Sequence, residues 1–350
     1  MVPAFACLLI GMATPAVGGA QPEAHDLCAP ADPELTELSG LATDGRRWFA
    51  VSDGGTSLRV LVLNPADCAM LDTIIADIDP YDIEDLALAR DGALWLADTG
   101  DNDLDRRTVA LDRLTSDGRA GRYRLTYPDG PHDVEALLLD HADVPYLVTK
   151  ELGAARVYRP TAGLAEPGPT PLVLVATVRI ESTSTPGGPA GSVGSVLVTG
   201  GAVSADGQVV ALRTYTDAYL FSAPGGDIAA ALMTVPVRIP LPGEPQGEAL
   251  ALAPDGTLLS GSEQPPGSAG DPAPIRAVPA AAALVAHPVP VSHEDTQPVP
   301  RPAAGPGAGV RSWWQPVVVA AGLIALLVLM VARRSQRPAE KGLRDLSGKR

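Results

Sequence analysis

Five stretches of this sequence echo one another: Ser39-Gly40-Leu41-Ala42, Glu84-Asp85-Leu86-Ala87, Glu135-Ala136-Leu137-Leu138, Gly201-Ala202-Val203-Ser204 and Glu248-Ala249-Leu250-Ala251. Their starts lie 45, 51, 66 and 47 residues apart. A period of that length means one supersecondary unit repeated, each copy burying its apolar face against the next. Asp-Gly pairs follow, as at Asp91-Gly92 and Asp255-Gly256, and open a second apolar run. Glycine there supplies the positive φ of a tight hairpin. The units are therefore built of strands. Helical periodicity is absent apart from one segment near the C-terminus and a short stretch at 227–232. Four strands per unit can be read in most copies, for instance 85–89, 93–97, 107–114 and 122–127 in the second. The expectation is an all-β chain, a β-propeller of five to six four-stranded blades.

Two features leave the blade count open. Residues 182–195 form a Gly/Pro/Ser/Thr insertion, read as a surface loop or as part of a sixth blade. The last repeat, with a weak third strand near 275–278, lacks an outer strand, which residues 31–37 are expected to supply.

The ends read as targeting segments. Residues 1–20 hold a short apolar stretch and then small residues up to Ala20, the pattern of a cleaved signal peptide. Residues 316–332 are apolar and uncharged, with Trp313 and Trp314 before them and Arg333, Arg334, Arg337 and Lys341 after. That length spans a bilayer, and the basic flank belongs on the cytoplasmic side. The expected order is a signal peptide at 1–20, the propeller at 21–263, a Pro/Ala-rich stalk at 264–312, a transmembrane helix at 313–333 and a cytoplasmic tail at 334–350. The chain is then a single-pass protein of the cell membrane with its propeller outside. Of three cysteines, Cys7 leaves with the signal. Cys28 and Cys68 remain, as a disulfide or as two free thiols.

Net charge is −15, and no basic stripe occurs outside the tail, which argues against a nucleic-acid partner. Acidic residues recur instead at two positions of the repeat. The first opens the innermost strand: Ser39, Glu84, Glu135, Gly201 and Glu248. The second ends the next strand: Asp53, Asp98, Lys150, Arg213 and Glu263. In a meander these positions sit at the same end, so the pattern predicts an acidic ring at one mouth of the channel. Glu84, Glu135, Glu248, Asp98, Asp53 and Glu263 are the candidate ligands of a divalent cation, with Ca²⁺ as the expected cofactor because it takes six to eight oxygens. Glu135, Lys150 and Arg213 are the candidate catalytic residues if metal and cations together hold an anion and activate water. The third reading is a ring of solvated and mutually paired charges. Other catalytic signatures are missing: Ala190-Gly191-Ser192-Val193-Gly194 lacks the first glycine of a nucleophile elbow, and the five histidines are scattered.

The strings Ser39-Gly40-Leu41, Val51-Ser52-Asp53, Glu84-Asp85-Leu86, Ala97-Asp98-Thr99-Gly100-Asp101-Asn102, Glu135-Ala136-Leu137, Gly247-Glu248-Ala249-Leu250 and Ser262-Glu263 together resemble secreted actinobacterial propellers of the phytase-like family described as having esterase-like activity. The resemblance covers roughly residues 35–265. It implies calcium on the channel acids Glu84, Glu135 and Glu248, and phosphate on Lys150 and Arg213. The functional expectation is a surface-anchored binding or scaffold module for an extracellular ligand or protein, with calcium in its channel. The alternative is a metal-dependent phosphoesterase or esterase.

Overall fold

The computed structural model describes residues 22–53, 56–166, 168–265 and 270–286. Its first strand, β1 (His25–Cys28), stands apart from four consecutive meanders. Blade 1 comprises β2 (Leu38–Thr43), β3 (Trp48–Ser52), β4 (Leu58–Leu63) and β5 (Met70–Ala76). Blade 2 comprises β6 (Ile83–Leu88), β7 (Leu94–Asp98), β8 (Val109–Leu114) and β9 (Ala120–Thr126). Blade 3 comprises β10 (Val134–Leu139), β11 (Pro145–Thr149), β12 (Ala155–Pro160) and β13 (Thr170–Val178). Blade 4 comprises β14 (Val198–Val203), β15 (Val209–Thr214), β16 (Asp217–Ser222) and β17 (Val237–Pro240). Blade 5 is assembled from β18 (Gln246–Leu252), β19 (Leu258–Glu263), β20 (Ile275–Val278) and, on its outer edge, β1.

The inner strands β2, β6, β10, β14 and β18 each lie beside the next, and β18 returns to β2. The ring therefore closes with five blades. The sequence patterns explain the layers. Inner and second strands are buried on both faces, as in β10 and β11, and read as unbroken apolar runs. Outer strands alternate buried and exposed positions, as in β13. No single core exists. Five apolar clusters each fill one blade–blade interface, among them Trp48 and Leu61 against Ala251 and Leu259 at the closure. Blades 2 and 3 are joined further at the rim by a short parallel pairing of β9 with β13. Among the described residues, 25–286 complete every blade and every interface from within, which makes them a self-contained folding unit.

Three expectations change here. The outer strand of blade 5 is β1, not residues 31–37. Asp32 caps a 3-10 turn over Pro33–Glu37 by accepting from the Glu34 N–H, and Pro33 favours that start. The insertion at 182–195 contributes a 3-10 turn (Gly194–Val196) and no strand, so there is no sixth blade among the described residues. The propeller does not stop at residue 263. β20, read in the sequence as a weak strand near 275–278, belongs to it, and so does the short helix α2 (Ala283–Ala286), which its Pro/Ala-rich surroundings hid. A short helix over Ile228–Ala231, α1, occurs where expected, capped by Asp227. The leader at 1–20 and the apolar run at 316–332 lie outside the described residues. No described helix is long and apolar enough to cross a membrane.

Cys28 and Cys68 form a disulfide with Cα atoms 5.7 Å apart. It fastens the strand that closes blade 5 to the β4–β5 turn of blade 1. Cys68→Ser is expected to cost about 2–4 kcal/mol by releasing that closure. Thermal melts of wild type and variant check this, and identical melts would contradict it.

Candidate metal centre at the channel mouth

Every inner strand is bulged at its start. The pairing skips Ser39, Glu84, Glu135 and Thr199 in blades 1 to 4, and Glu248 lies in the corresponding bulge of blade 5. A bulge adds one residue without a ladder partner and re-aims its side chain. This is how the ring of equivalent residues meets at one mouth. In blade 4 the equivalent position is Thr199, not Gly201. Thr199 donates to the Gly247 carbonyl at 2.8 Å and brings no charge.

Carboxylate oxygens of Glu84, Asp133 and Glu135 all lie within 4.8 Å of one another. Two oxygens on one calcium, each 2.3–2.6 Å from it, can be at most about 5 Å apart, so this spacing fits a shared ion. Glu84 is 6 % exposed. Burial, then Glu135 and Asp82, push its carboxyl well above the usual range. Asp82 stands next to it and is raised to about 6 by burial and by Asp133. The backbone leaves room for this pair only because residue 100 is glycine. A Cβ there would lie 2.0 Å from Glu84 Oε1 and 2.4 Å from Asp82 Oδ2.

Lys150 brings a cation to this mouth. Its Nζ lies 2.6 Å from Glu135 Oε1 and 5.4 Å from the centre of the Tyr215 ring. Burial alone would pull its pKa down, but Glu135, Tyr215, Glu248 and Asp133 hold it above the ordinary value, so it stays charged. Glu135 itself is raised by burial and only partly relieved by Lys150. Glu248 and Glu263 face each other. Gln246 Nε2 donates to Glu248 Oε1 at 3.1 Å and also to Glu263, and Ser39 Oγ donates to Glu263 Oε1 at 3.3 Å. Burial and the Glu248 carboxylate push Glu263 up to about 12, which favours its protonated form. Asp53 is raised to about 7 by burial and by Glu37, Asp82 and Glu248, and its Oδ1 has no donor among the described residues.

Two residues expected in the ring are employed elsewhere. Asp98 accepts from the backbone N–H groups of Tyr81 and Asp82 and is ion-paired to Arg106 at 2.9 Å and Arg122 at 2.7 Å. Its oxygens are engaged, which takes it out of the metal set. Arg213 is fully buried between blades 4 and 5, 2.6 Å from Glu244. Its guanidinium fills the place of a missing side chain, since a Cβ on Gly247 would lie 1.6 Å from its Nη2. Arg213 is thus a structural cation and not an anion ligand at the mouth. Conversely, Asp82 and Asp133 were not foreseen. The signal was present: Asp82-Ile83-Glu84 and Asp133-Val134-Glu135 repeat Asp-x-Glu in adjacent blades.

Below the acids the channel is closed. Where other blades carry Gly40, Ala136, Gly200 and Ala249, blade 2 carries Asp85, which is fully buried. It accepts from the N–H groups of Leu86 at 2.7 Å, Leu137 at 2.7 Å and Gly201 at 3.2 Å, binding three blades across the axis. Burial raises its pKa and these donors oppose the rise. Asp85→Asn replaces one of the two accepting oxygens by an amide donor, which strands at least one of these N–H groups, and is expected to cost about 1–3 kcal/mol, read from denaturant unfolding. A neutral substitution would show that the axis is not held this way.

No family model and no curated protein matches the sequence. Solved structures do. A gluconolactonase from Xanthomonas campestris is 14% identical, with 76% of this chain and 93% of that chain covered and a TM-score of 0.42. The PQQ-bound aldose sugar dehydrogenase from Streptomyces coelicolor is 14% identical, with 74% and 98% covered and a TM-score of 0.41. Virginiamycin B lyase from Staphylococcus aureus is 11% identical, with 69% and 67% covered and a TM-score of 0.34. Likeness at this level carries no argument about activity. The blade count and the site rest on strand pairing and side-chain geometry alone. The phytase-like resemblance has no matched family behind it.

Proposed function

We propose that this chain is an exported, surface-anchored propeller that binds one divalent cation, calcium, at its channel mouth and presents it to an oxygen-rich extracellular ligand. One observation carries this reading: the Glu84 carboxylate is buried, with an oxygen within 4.8 Å of oxygens of Asp133 and Glu135. A buried anionic cluster of this kind is costly unless protons or a cation neutralise it. Glu84, Asp133 and Glu135 are the ligands, and Asp82 adds a fourth carboxylate. The ion supplies charge neutralisation and open coordination positions for oxygen donors. Lys150 orients Glu135 through its 2.6 Å contact and carries the positive charge an anionic ligand would meet. Export is supported by the Cys28–Cys68 disulfide, since such bonds persist in oxidising compartments. Anchoring rests on the apolar run at 316–332 with its basic flank.

A second reading is hydrolysis of a phosphoester or carboxylic ester at the same mouth. The observation favouring it is the pair of carboxyls Glu248 and Glu263, bridged by Gln246 at the same mouth as the charged Lys150. The loss of Arg213 from the mouth weakens it. Metal analysis of the purified protein, followed by a screen of phosphate and carboxylic esters with calcium present, separates the two. The binding reading predicts about one calcium per chain and no turnover. Turnover abolished by Glu135→Gln would replace it with the hydrolase.

A further inference from the structure

The mouth at the opposite end of the ring is not acidic. There the inner strands finish, and they leave a cavity of about 280 Å³. Each blade contributes one residue to its lining near the axis: Leu41, Leu86, Leu137, Gly201 and Ala251. Asp85 lies just beneath, bound to the backbone of Leu86, Leu137 and Gly201, so the cavity is blind and does not communicate with the metal centre. Apolar side chains, Leu88 and Val203 among them half-buried, share the walls with polar groups in nearly equal measure. A concave apolar site ringed by a few polar groups is the usual form of a small-molecule pocket.

The rim decides what it takes. Asp44, Asp140 and Asp143 line it, with Arg90 as the one cation of the lining. Arg90 is occupied: its Nη1 lies 2.6 Å from His141 Nδ1, and its backbone N–H donates to Asp143 Oδ1 at 3.2 Å. Asp44 is ion-paired to Arg47 at 2.8 Å, so Asp140 and Asp143 leave the rim a small excess of negative charge, which disfavours an anionic head group and tolerates an uncharged one. We propose that this blind cavity is a second binding site, for a compact apolar molecule without negative charge. It is independent of the metal centre and stands whether or not calcium binds at the other end.

The test is a fluorescence titration of residues 22–286 with N-phenyl-1-naphthylamine, an uncharged apolar probe, beside the anionic 8-anilinonaphthalene-1-sulfonate. Saturable binding of the first at one site per chain is expected, with at least tenfold weaker binding of the second. Ala202→Trp, which fills the cavity, and Leu88→Glu, which charges its wall, should each weaken the uncharged probe at least tenfold. Glu84→Gln and chelator should leave it unchanged. Thermal melts identify whichever variant stays folded, and that variant decides. Absence of saturable binding overturns the proposal. So does binding that survives in the folded cavity variant, or binding that instead disappears in Leu71→Lys or Ile75→Lys on the exposed outer strand of blade 1.

Discussion

Arg213→Met is expected to lower stability by about 3–5 kcal/mol, the range for stranding one partner of a buried ion pair. In a domain of this size that is a fall of roughly 6–20 °C in Tm. Arg213 donates to the carbonyls of Thr214 at 3.1 Å, Ala249 at 3.0 Å and Gly261 at 3.0 Å, to Ser260 Oγ at 2.8 Å and to Glu244 Oε2 at 2.6 Å. These bonds stitch the second strand of blade 4 to the inner two strands of blade 5. Methionine fills much of the volume but leaves Glu244 charged, 3 % exposed and short of its main donor. Arg276, at 3.5 Å from its other oxygen, compensates only in part. Adding Glu244→Leu should recover some of the loss, because removing both charges is far cheaper than removing one. The fall should be the same with and without calcium. A loss below about 1 kcal/mol, or a loss of calcium affinity in a stable variant, would return Arg213 to the mouth.

The second large effect is in pH. Asp53 and Asp82 have folded-state pKa values raised to about 7 and about 6, against 3.8 for the free carboxyl. A raised acid favours its protonated form in the folded state. Its stabilising contribution is therefore complete below pH 4 and is lost as pH rises through 6 and 7. The metal-free protein should lose on the order of 3–5 kcal/mol between pH 4.5 and pH 8 from these groups, allowing for their partial solvent contact. Calcium should flatten that slope, since the cation takes over from the protons and binds only the native state. Melts across this range with calcium and with chelator read both effects. Stability that rises toward pH 8 without metal would contradict the electrostatics described here.

The repeat was legible because its elements are local. Apolar runs, Asp-Gly turns such as Asp91-Gly92 with φ +83 at the glycine, and the five-fold spacing need no knowledge of the partner blade. The position of Glu84 and Glu135 at one mouth followed from the same meander logic. What failed was register. Strand pairing sets Thr149 opposite Val134 and Thr214 opposite Val198, so the blade 4 counterpart of Lys150 is Tyr215; Arg213 lies two residues earlier, inside the strand, and points between the blades. The bulges that aim the acids are the same feature that disturbs the count. Asp98 was misread for another reason: its two arginines come from a loop and from the outer strand β9, and that pairing is tertiary. The closing strand β1 was missed because HDLC is only four residues long, while the Asp32-Pro33 signal for a turn at 33–37 could have been read.

The central claim is that Glu84, Asp133 and Glu135 hold a cation. The direct measurement is calorimetric titration of calcium into the chelator-stripped protein, beside Glu84→Gln and Cys68→Ser. The account predicts one calcium per chain, binding abolished in Glu84→Gln and retained in Cys68→Ser, and a Tm raised by roughly 5–10 °C at a hundredfold excess over Kd. No calcium uptake by the native protein, or equal uptake by Glu84→Gln, would contradict it.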